Sequence, residues 1–309
     1  MALDPEIQLV VDAMNALPPV GPDSVPVEQA RAAHDAETVQ LSGPGPEVAS
    51  VEEVEAPGPG GPIAIRCFRP AGVGPLAVVA YAHGGGWVIG SLDGFDPLCR
   101  ALANASGAIV AALDYRRAPE HPFPAPLEDV IAAVRWLSAS AESLGGDPAR
   151  LGVAGDSAGG NLVAVAARRL REDPEVEVRF QALIYPVTDS AVNTRSYAEN
   201  AEGYGLTATG MARYWQLYLD GADGQQPDVS PLRAGDLEGL PPAYVLTVEH
   251  DVLCDEGEAY AAALERAGVP VQHARYDGAV HGFFRWLAQA ALARDAVAEA
   301  GTALRAGLA

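Results

Sequence analysis

Short apolar segments alternate with segments of helical period from about residue 60 to the end of the chain. Several apolar segments are rich in valine, isoleucine and alanine without strict alternation, which is typical of strands buried on both faces of a mostly parallel sheet. The predicted strands are 63–68, 76–82, 109–113, 151–154, 180–184, 244–248 and 271–276, and the predicted helices among them are 94–106, 125–144, 158–171, 254–267 and 282–307. This order predicts an α/β fold with helices on both faces of the sheet.

Two regions interrupt the alternation. Residues 1–45 combine a helical segment, proline- and glycine-rich punctuation and a second short helix, and residues 188–230 contain a helical stretch between loops. Segments placed before the sheet or between its strands are candidates for a lid over an active site. We therefore predict two helical cap segments, 1–45 and 188–230, on a catalytic domain formed by residues 46–187 and 231–309.

Composition narrows the classes of partner. The formal net charge is −21, and all 20 basic residues are arginine, so the surface lacks the positive patch that nucleic acid or anionic lipid requires. No apolar run approaches the ~18 residues of a transmembrane helix, and the start of the chain is acidic where a secretory signal is basic. Three widely spaced cysteines indicate reduced thiols. We expect a cytoplasmic protein that binds neither nucleic acid nor membrane.

One serine lies in a pattern that suggests a nucleophile. Ser157 is the centre of Gly155-Asp156-Ser157-Ala158-Gly159, a G-x-S-x-G motif between a short apolar run and a helical segment. In a strand–turn–helix elbow, small residues two positions either side of the serine prevent clashes between strand and helix. The alternative is an ordinary glycine-rich loop. Asp156 is expected to make local hydrogen bonds that support the turn.

A serine hydroxyl needs a base, and in this architecture the acid and then the histidine follow the serine, each after a later strand. His281, in DGAVHGFF, comes after the last predicted strand and before the final helix. The other histidines lie before the serine, within a strand or beside the candidate acid: His34, His83, His121, His250 and His273. His281 is therefore the predicted base.

The candidate acid follows the penultimate strand, in YVLTVEHDVLCDEGEAY. Asp251 stands at the end of that strand, with Glu249, Asp255 and Glu256 as competitors. Asp255 and Glu256 are better explained as first-turn residues of the next helix, where negative charge suits the helix dipole. Asp251 is the predicted acid, which would orient the imidazole and stabilise the imidazolium.

A glycine-rich loop, YAHGGGWVIG at 81–90, follows the strand 76–82. Three consecutive glycines let the backbone approach a substrate and turn its N–H groups toward a developing oxyanion, together with the N–H of Ala158. A phosphate-binding loop is the alternative, but no G-K-[ST] follows and the spacing differs from G-x-G-x-x-G. The loop is therefore the predicted oxyanion hole.

With these motifs the sequence resembles the bacterial hormone-sensitive-lipase-like esterases, a branch of the α/β-hydrolases. The matching motifs are His83-Gly84-Gly85-Gly86-Trp87, YRRAPEHPFPA at 115–125, GDSAGG at 155–160, DVLCDEG at 251–257 and HGF at 281–283. The resemblance implies a serine carboxylesterase with the triad Ser157, Asp251 and His281. It also implies oxyanion donors on Gly85, Gly86 and Ala158, and a structural role for His83.

The chain departs from the family pattern at three positions. Val252 and Cys254 stand where the acid motif usually has proline and arginine, and Arg117 stands where leucine is usual. None of these changes removes a catalytic atom, but they affect the position of the acid loop and the shape of the pocket. Cys254 is expected to be a small core or loop residue.

The expected substrates are short- to medium-chain acyl esters, cleaved without metal or organic cofactor. Trp87 and Trp215 are candidate substrate-binding residues, although Trp87 could equally support the glycine loop and the cap aromatics could pack on one another. An amidase or formamidase with the same triad, or a non-catalytic receptor on this fold, are the alternatives. Relatives can pair through the edge strand, so we expect a monomer or a homodimer joined through the last strand.

Overall fold

An eight-stranded sheet forms the centre of the structure, a computed structural model that describes residues 2–309. Its strands are β1 (Ser50–Gly58), β2 (Gly61–Arg69), β3 (Leu76–Ala82), β4 (Ile109–Leu113), β5 (Gly146–Asp156), β6 (Val178–Ile184), β7 (Ala243–His250) and β8 (Val271–Val280). The spatial order is β1-β2-β4-β3-β5-β6-β7-β8. Strand β2 is antiparallel to β1 and β4, and all other neighbours are parallel. The predicted mostly parallel sheet with helices on both faces is confirmed.

The first strand was missing from the sequence prediction. β1 reads SVEEVEAPG, and most of its residues are exposed or half-buried. Its acidic residues conceal the apolar pattern, so only its pairing with β2, from Ser50 opposite Arg69 to Gly58 opposite Gly61, defines it as a strand. The seven predicted strands are all present, and β5 and β8 extend further than expected.

Nine helices accompany the strands within residues 2–309. They are α1 (Pro5–Asn15), α2 (Val27–Ser42), α3 (Leu92–Ser106), α4 (Ala125–Ser140), α5 (Ala158–Leu170), α6 (Arg195–Glu199), α7 (Ala208–Leu219), α8 (Cys254–Arg266) and α9 (Ala291–Gly307). The final helix was predicted to begin at 282, which is wrong, because it begins at Ala291. Phe283, Phe284 and Trp286 are all buried, so this apolar run packs as a short 3₁₀ turn and loop rather than as one face of a helix.

The two faces of the sheet carry two separate cores. Along β3, Val78 and Ala80 belong to the core that contains α4, α5 and α8, whereas Val79 and Tyr81 belong to the core that contains α3 and α9. This follows from the period of two along a strand, which sends successive side chains to opposite faces. Because both faces are covered, the central strands β3 (LAVVAYA) and β4 (IVAAL) consist of apolar and aromatic residues.

The carboxyl ends of four parallel strands hold the predicted site. The glycine loop follows β3, Ser157 follows β5, Asp251 follows β7 and His281 follows β8. Because parallel strands end at one edge of the sheet, these residues come together there although they lie far apart in sequence. β8 is the last strand of the sheet, where the predicted dimer contact would form. That pairing stays a prediction.

The amino-terminal segment (residues 2–45, with α1 and α2) and the second segment (188–230, with α6 and α7) both reach this edge. Arg31 of α2 bonds the carbonyl of Val88, and Tyr214 of α7 lies against Gly86. Both segments therefore lie beside the predicted site, as expected of cap segments. Among residues 2–309, no helix has the length and apolar character that crossing a membrane requires.

Candidate active site

Ser157 lies in a sharp turn between β5 and α5. Its φ is +55°, a conformation that non-glycine residues adopt at a cost, and its N–H donates to the Ile184 carbonyl over 2.9 Å. A Cβ on Gly155 would collide with Gly159, and one on Gly159 would collide with the carbonyl oxygen of Ala82. The G-x-S-x-G spacing therefore reflects close backbone contact around a serine that is lifted out of the strand.

Ser157, His281 and Asp251 form one hydrogen-bonded line. The Ser157 Oγ lies 3.0 Å from the His281 Nε2, and the His281 Nδ1 lies 2.7 Å from the Asp251 Oδ2. The carboxylate of Asp251 is fully buried, and the imidazole is 12% exposed. With its proton on Nδ1, directed at the carboxylate, the imidazole presents a lone pair on Nε2 to the serine hydroxyl. The ring of Tyr185 lies 4.6 Å from the imidazole, centre to centre, and limits its movement.

Among the candidate acids, Asp251 is the one in hydrogen-bond contact with His281. Its Oδ1 accepts from the Leu253 N–H over 2.9 Å, which fixes the carboxylate from its own loop. Glu249 accepts from the Gly278 N–H, and Asp255 accepts from the Ser196 N–H. Asp255 and Glu256 both lie in the first turn of α8, as predicted. Glu256, however, is fully buried, and burial raises the pKa of its carboxyl well above the usual value, so dipole stabilisation does not explain it.

The second segment fastens the loop that carries Asp251. The Ser196 Oγ donates to the Val252 carbonyl over 2.6 Å, and the Asn200 side-chain amide donates to the Asp251 carbonyl over 3.1 Å. The Glu256 carboxyl accepts from the N–H groups of Thr188 and Asp189 over 2.7 and 3.2 Å. We call this set the acid-loop clasp. It holds the loop in the absence of the usual proline and arginine.

Sequence reasoning missed the clasp because serine and asparagine in a loop carry no distinctive signal. Cys254, one of the family departures, is buried at the start of α8, as expected of a small core residue. The other two cysteines are also free and buried.

The glycine loop after β3 has left-handed backbone at Gly85 (φ +115°) and Gly86 (φ +58°). A Cβ on Gly85 would collide with the Ile89 carbonyl, and one on Gly86 would collide with the ring of Tyr214. The N–H of Gly84 donates to Asp156 over 2.8 Å. Among residues 2–309, no acceptor takes the N–H of Gly85 or Gly86. These two groups and the first-turn N–H of Ala158 are therefore free to donate hydrogen bonds beside Ser157.

Asp156 supports the glycine loop rather than the serine turn alone. Its Oδ1 accepts from the Tyr81 hydroxyl over 2.7 Å as well as from Gly84, so it joins β3 and β5 to the start of the loop. Burial raises the pKa of this carboxyl. Asp156 does accept hydrogen bonds, but Tyr81 and Gly84 lie 75 and 72 positions away in the sequence, so the expectation of local bonds within the serine turn is wrong.

His83 braces the same loop. Its ring stacks on Tyr115 with centres 4.5 Å apart, and the Tyr115 hydroxyl donates to the His83 carbonyl over 2.7 Å. Burial lowers the pKa of His83 to about 3, so the ring is neutral at physiological pH. These contacts fit the structural role that the family resemblance implies.

The two tryptophans predicted at the pocket belong to one aromatic cluster. Trp87 has no accessible surface, and its rings lie 4.2 Å from Tyr218 and 4.5 Å from Trp215. Trp215 is 4% exposed. The burial of Trp87 against these rings is compatible with the predicted role of supporting the glycine loop. The ring of Tyr214 lies directly on Gly86. Substrate contact by either tryptophan stays a prediction.

A buried basic pair links α2 to the loop after His281. The Arg285 guanidinium contacts the His34 Nε2, and Arg285 lies 3.6 Å from Glu37. Burial, reinforced by Arg285, lowers the pKa of His34 to about 4. The Ser42 hydroxyl also donates to the Arg285 carbonyl over 2.5 Å. The amino-terminal segment is thus attached to the loop that carries the predicted base.

Arg117, the third family departure, donates to the Gly90 carbonyl at the far end of the glycine loop, and it lies 3.6 Å from Asp114. It therefore forms a polar attachment between the glycine loop and the loop after β4.

Comparison with known proteins gives a consistent result. A family profile described as the α/β-hydrolase fold matches residues 79–285. The carboxylesterase NlhH of Mycobacterium tuberculosis is 42% identical over 251 residues, which are 80% of this chain and 79% of that protein. The ethyl acetate hydrolase of Pseudomonas putida is 42% identical over 226 residues, 72% of this chain and 71% of that enzyme.

A solved structure covers nearly the whole chain. The ester hydrolase from the Lake Arreo metagenome, in complex with a derivative of bipyridine phosphonate, superposes with a TM-score of 0.94 at 42% identity. The match covers 98% of both chains.

Proposed function

The chain belongs to the hormone-sensitive-lipase-like branch of the α/β-hydrolase fold family and is a carboxylesterase. We propose that it cleaves short- to medium-chain acyl esters through an acyl-enzyme on Ser157. The observation that carries the proposal is the line Asp251–His281–Ser157, with spacings of 2.7 and 3.0 Å. A nucleophile and a base within hydrogen-bond reach, with the base oriented by a third group, are what acyl transfer requires.

In the first half-reaction the Ser157 Oγ attacks the ester carbonyl carbon while the His281 Nε2 takes the hydroxyl proton. The imidazolium formed lies 2.7 Å from the buried Asp251 carboxylate, which stabilises the positive charge. The tetrahedral intermediate then collapses, and His281 gives its proton to the leaving alcohol. Water repeats the sequence on the acyl-enzyme and releases the acid.

The carbonyl oxygen gains negative charge in both half-reactions. The free N–H groups of Gly85, Gly86 and Ala158 would receive it, since Gly84 is already committed to Asp156. Ala158 is also the first residue of α5, so the positive end of the helix dipole adds to the attraction.

The size of the acyl group would be limited by the two cap segments, 1–45 and 188–230. The side chain of Tyr214 lies on Gly86, beside the proposed oxyanion donors, and its ring is largely buried. A bulky aromatic residue at this point restricts the space for an acyl chain. This packing favours short and medium acyl chains over long ones.

Nitrophenyl esters of graded acyl length test the proposal. We expect butyrate and hexanoate esters to be cleaved faster than long-chain esters, with Ser157→Ala reducing kcat by about 10⁴-fold or more. A phosphonate ester should label Ser157 stoichiometrically. Faster cleavage of long-chain esters would refute the chain-length proposal, and faster cleavage of matched anilides would identify an amidase. An unlabelled, folded protein without activity would indicate a receptor.

A further inference from the structure

Arg31, in helix α2, reaches the glycine loop from the amino-terminal segment. Its Nε donates to the Val88 carbonyl oxygen over 2.8 Å, and its Nη2 donates to the Ala118 carbonyl oxygen over 2.9 Å. Glu120 binds the guanidinium at 2.6 Å, and this hydrogen bond lowers the pKa of the glutamate. The side chain of Arg31 is 25% exposed. Three acceptors on two loops, the glycine loop and the loop between β4 and α4, therefore fix one guanidinium in a single orientation.

The bond to Val88 continues into the predicted oxyanion hole through two peptide units. The carbonyl of Val88 and the N–H of Ile89 belong to one planar peptide, and that N–H donates to the Gly85 carbonyl over 2.9 Å. The carbonyl of Gly85 and the N–H of Gly86 belong to the next peptide in this path. Because the two groups of a trans peptide point in opposite directions, fixing the Gly85 carbonyl also fixes the direction of the Gly86 N–H.

A second path reaches the same carbonyl. The Ala118 N–H donates to the Trp87 carbonyl over 2.9 Å, and the Val88 N–H, in the same peptide unit as that carbonyl, donates to the Gly85 carbonyl over 3.0 Å. The Gly85 carbonyl thus accepts two N–H groups. Arg31 bonds both loops from which these paths start, at Val88 and at Ala118.

Besides fixing orientation, these hydrogen bonds transmit polarisation from the Arg31 guanidinium toward Gly86. A cation on the Val88 carbonyl polarises its peptide and strengthens the Ile89 N–H as a donor, and that bond polarises the Gly85–Gly86 peptide in turn. The Gly86 N–H at the end has no acceptor among residues 2–309 and is one of the proposed oxyanion donors.

We propose that Arg31 is a positioning residue for the oxyanion hole, which orients and strengthens the Gly86 N–H through the Val88–Ile89 and Gly85–Gly86 peptide units. The inference rests on the proposed function, because it assigns a role within that oxyanion hole. It differs from simple attachment of α2 to the protein body, which would affect substrate binding and stability but not the donor strength of Gly86.

The first experiment measures kcat and KM for nitrophenyl butyrate in Arg31→Met, Arg31→Lys and Glu120→Gln. We expect Arg31→Met to lower kcat by about 10- to 100-fold, comparable to the loss of part of one oxyanion donor, with KM changed by less than about twofold. Arg31→Lys should recover part of the loss, since lysine keeps a charge but not the planar fork. Glu120→Gln, which leaves both carbonyl contacts in place, is the matched control and should stay within about threefold.

The second experiment replaces the substrate carbonyl oxygen with sulfur. A thiono ester accepts hydrogen bonds weakly, so the ratio of kcat/KM for the oxygen ester over the thiono ester measures the strength of the oxyanion hole. We expect this ratio to fall by about fivefold or more in Arg31→Met and to equal the wild-type ratio in Glu120→Gln. A wild-type ratio in Arg31→Met, even with reduced activity, would overturn the proposal and leave Arg31 as an attachment residue.

Failure of the inference is distinguishable from failure of the proposed function. If the wild-type protein does not hydrolyse the oxygen ester, or if Ser157→Ala retains full activity, the proposed function is wrong. If the wild type is active, Ser157→Ala is inactive and the oxygen-to-sulfur ratio does not respond to Arg31, only the inference is wrong. Should Arg31→Met fail to fold, the same ratio in Arg31→Lys decides, and a wild-type value there overturns the proposal.

Discussion

The amino-terminal segment and the second segment hold the same site by different chemistry. The amino-terminal segment attaches through arginine side chains: its own Arg31 bonds the glycine loop, and its neutral His34 contacts Arg285 after the predicted base. The second segment uses neutral groups. Its Ser196 and Asn200 side chains donate hydrogen bonds to the acid loop, and its backbone N–H groups at 188–189 donate to the buried Glu256 carboxyl of α8. One attachment is partly exposed and ionic, and the other is buried and built from hydrogen bonds.

Because the two segments are attached by different interactions, we expect the attachments to respond differently to salt, pH and mutation. Ionic attachments respond to salt and protonation, because screening and titration act directly on charge. Buried hydrogen bonds respond little to salt, but removing one partner leaves the other unpaired away from water. The glycine loop and base loop should therefore depend on solution conditions, and the acid loop should depend on side-chain truncation.

The largest expected effect comes from the clasp. Glu256→Ala would leave the buried N–H of Thr188 and the partly buried N–H of Asp189 without an acceptor, so the free energy of unfolding should fall by about 3 kcal/mol. A loss of this size lowers Tm by about 6 °C in a protein of this length. Glu256→Gln is the matched control, since it keeps the acceptor oxygen and the size of the side chain, and it should change stability by less than about 1 kcal/mol. Equal losses in both variants would contradict this account.

The next effect is a pH dependence in the amino-terminal segment. The folded state holds His34 neutral down to about pH 4, whereas the unfolded chain protonates it near pH 6.5. Protons therefore bind preferentially to the unfolded chain in this window, and the free energy of unfolding should fall by about 3 kcal/mol as the pH drops through it. Denaturant unfolding of the wild type and of His34→Gln from pH 7 to pH 4 measures the contribution of His34 to this loss of stability.

The difference in pH-dependent stability between the wild type and His34→Gln isolates the contribution of His34. Glu256 and Asp156, whose pKa values burial raises, act in the opposite direction but contribute equally to both. The variant should lose less stability than the wild type on acidification. Identical slopes would show that protonation of His34 does not contribute to the pH dependence of the free energy of unfolding.

The smallest effect concerns Arg117, which adds a charge to the glycine loop from outside the amino-terminal segment. Its acceptor is the Gly90 carbonyl, which is not in either path to Gly86. Arg117→Leu should lower kcat/KM by less than about threefold and leave the oxygen-to-sulfur ratio unchanged. A response as large as that of Arg31→Met would mean that any charge near the loop suffices, and the distinction between the two arginines would disappear.

Local patterns were enough for most of the sheet and for the order of the site. Ser157, Asp251 and His281 could be chosen because each follows a strand in an expected order, and the glycines because left-handed backbone favours that residue. Strand β1 could not be found, since its acidic residues interrupt the apolar alternation. The start of the last helix at Ala291 could not be found either, because a run of buried aromatics fits a helix and an irregular loop equally well.

The sequence by itself determined the fold class, the strand ends that carry the chemistry and the identity of the groups proposed to react, because these depend on short-range periodicity and backbone sterics. Tertiary structure decided what holds those groups in place. Arg31 acts on Val88, 57 positions away, and Glu256 on Thr188, 68 positions away. Contacts over such separations leave no local pattern, since one arginine or glutamate on a helix has the same local preference whether it faces water or a buried carbonyl. Only the folded chain brings each one to its partner.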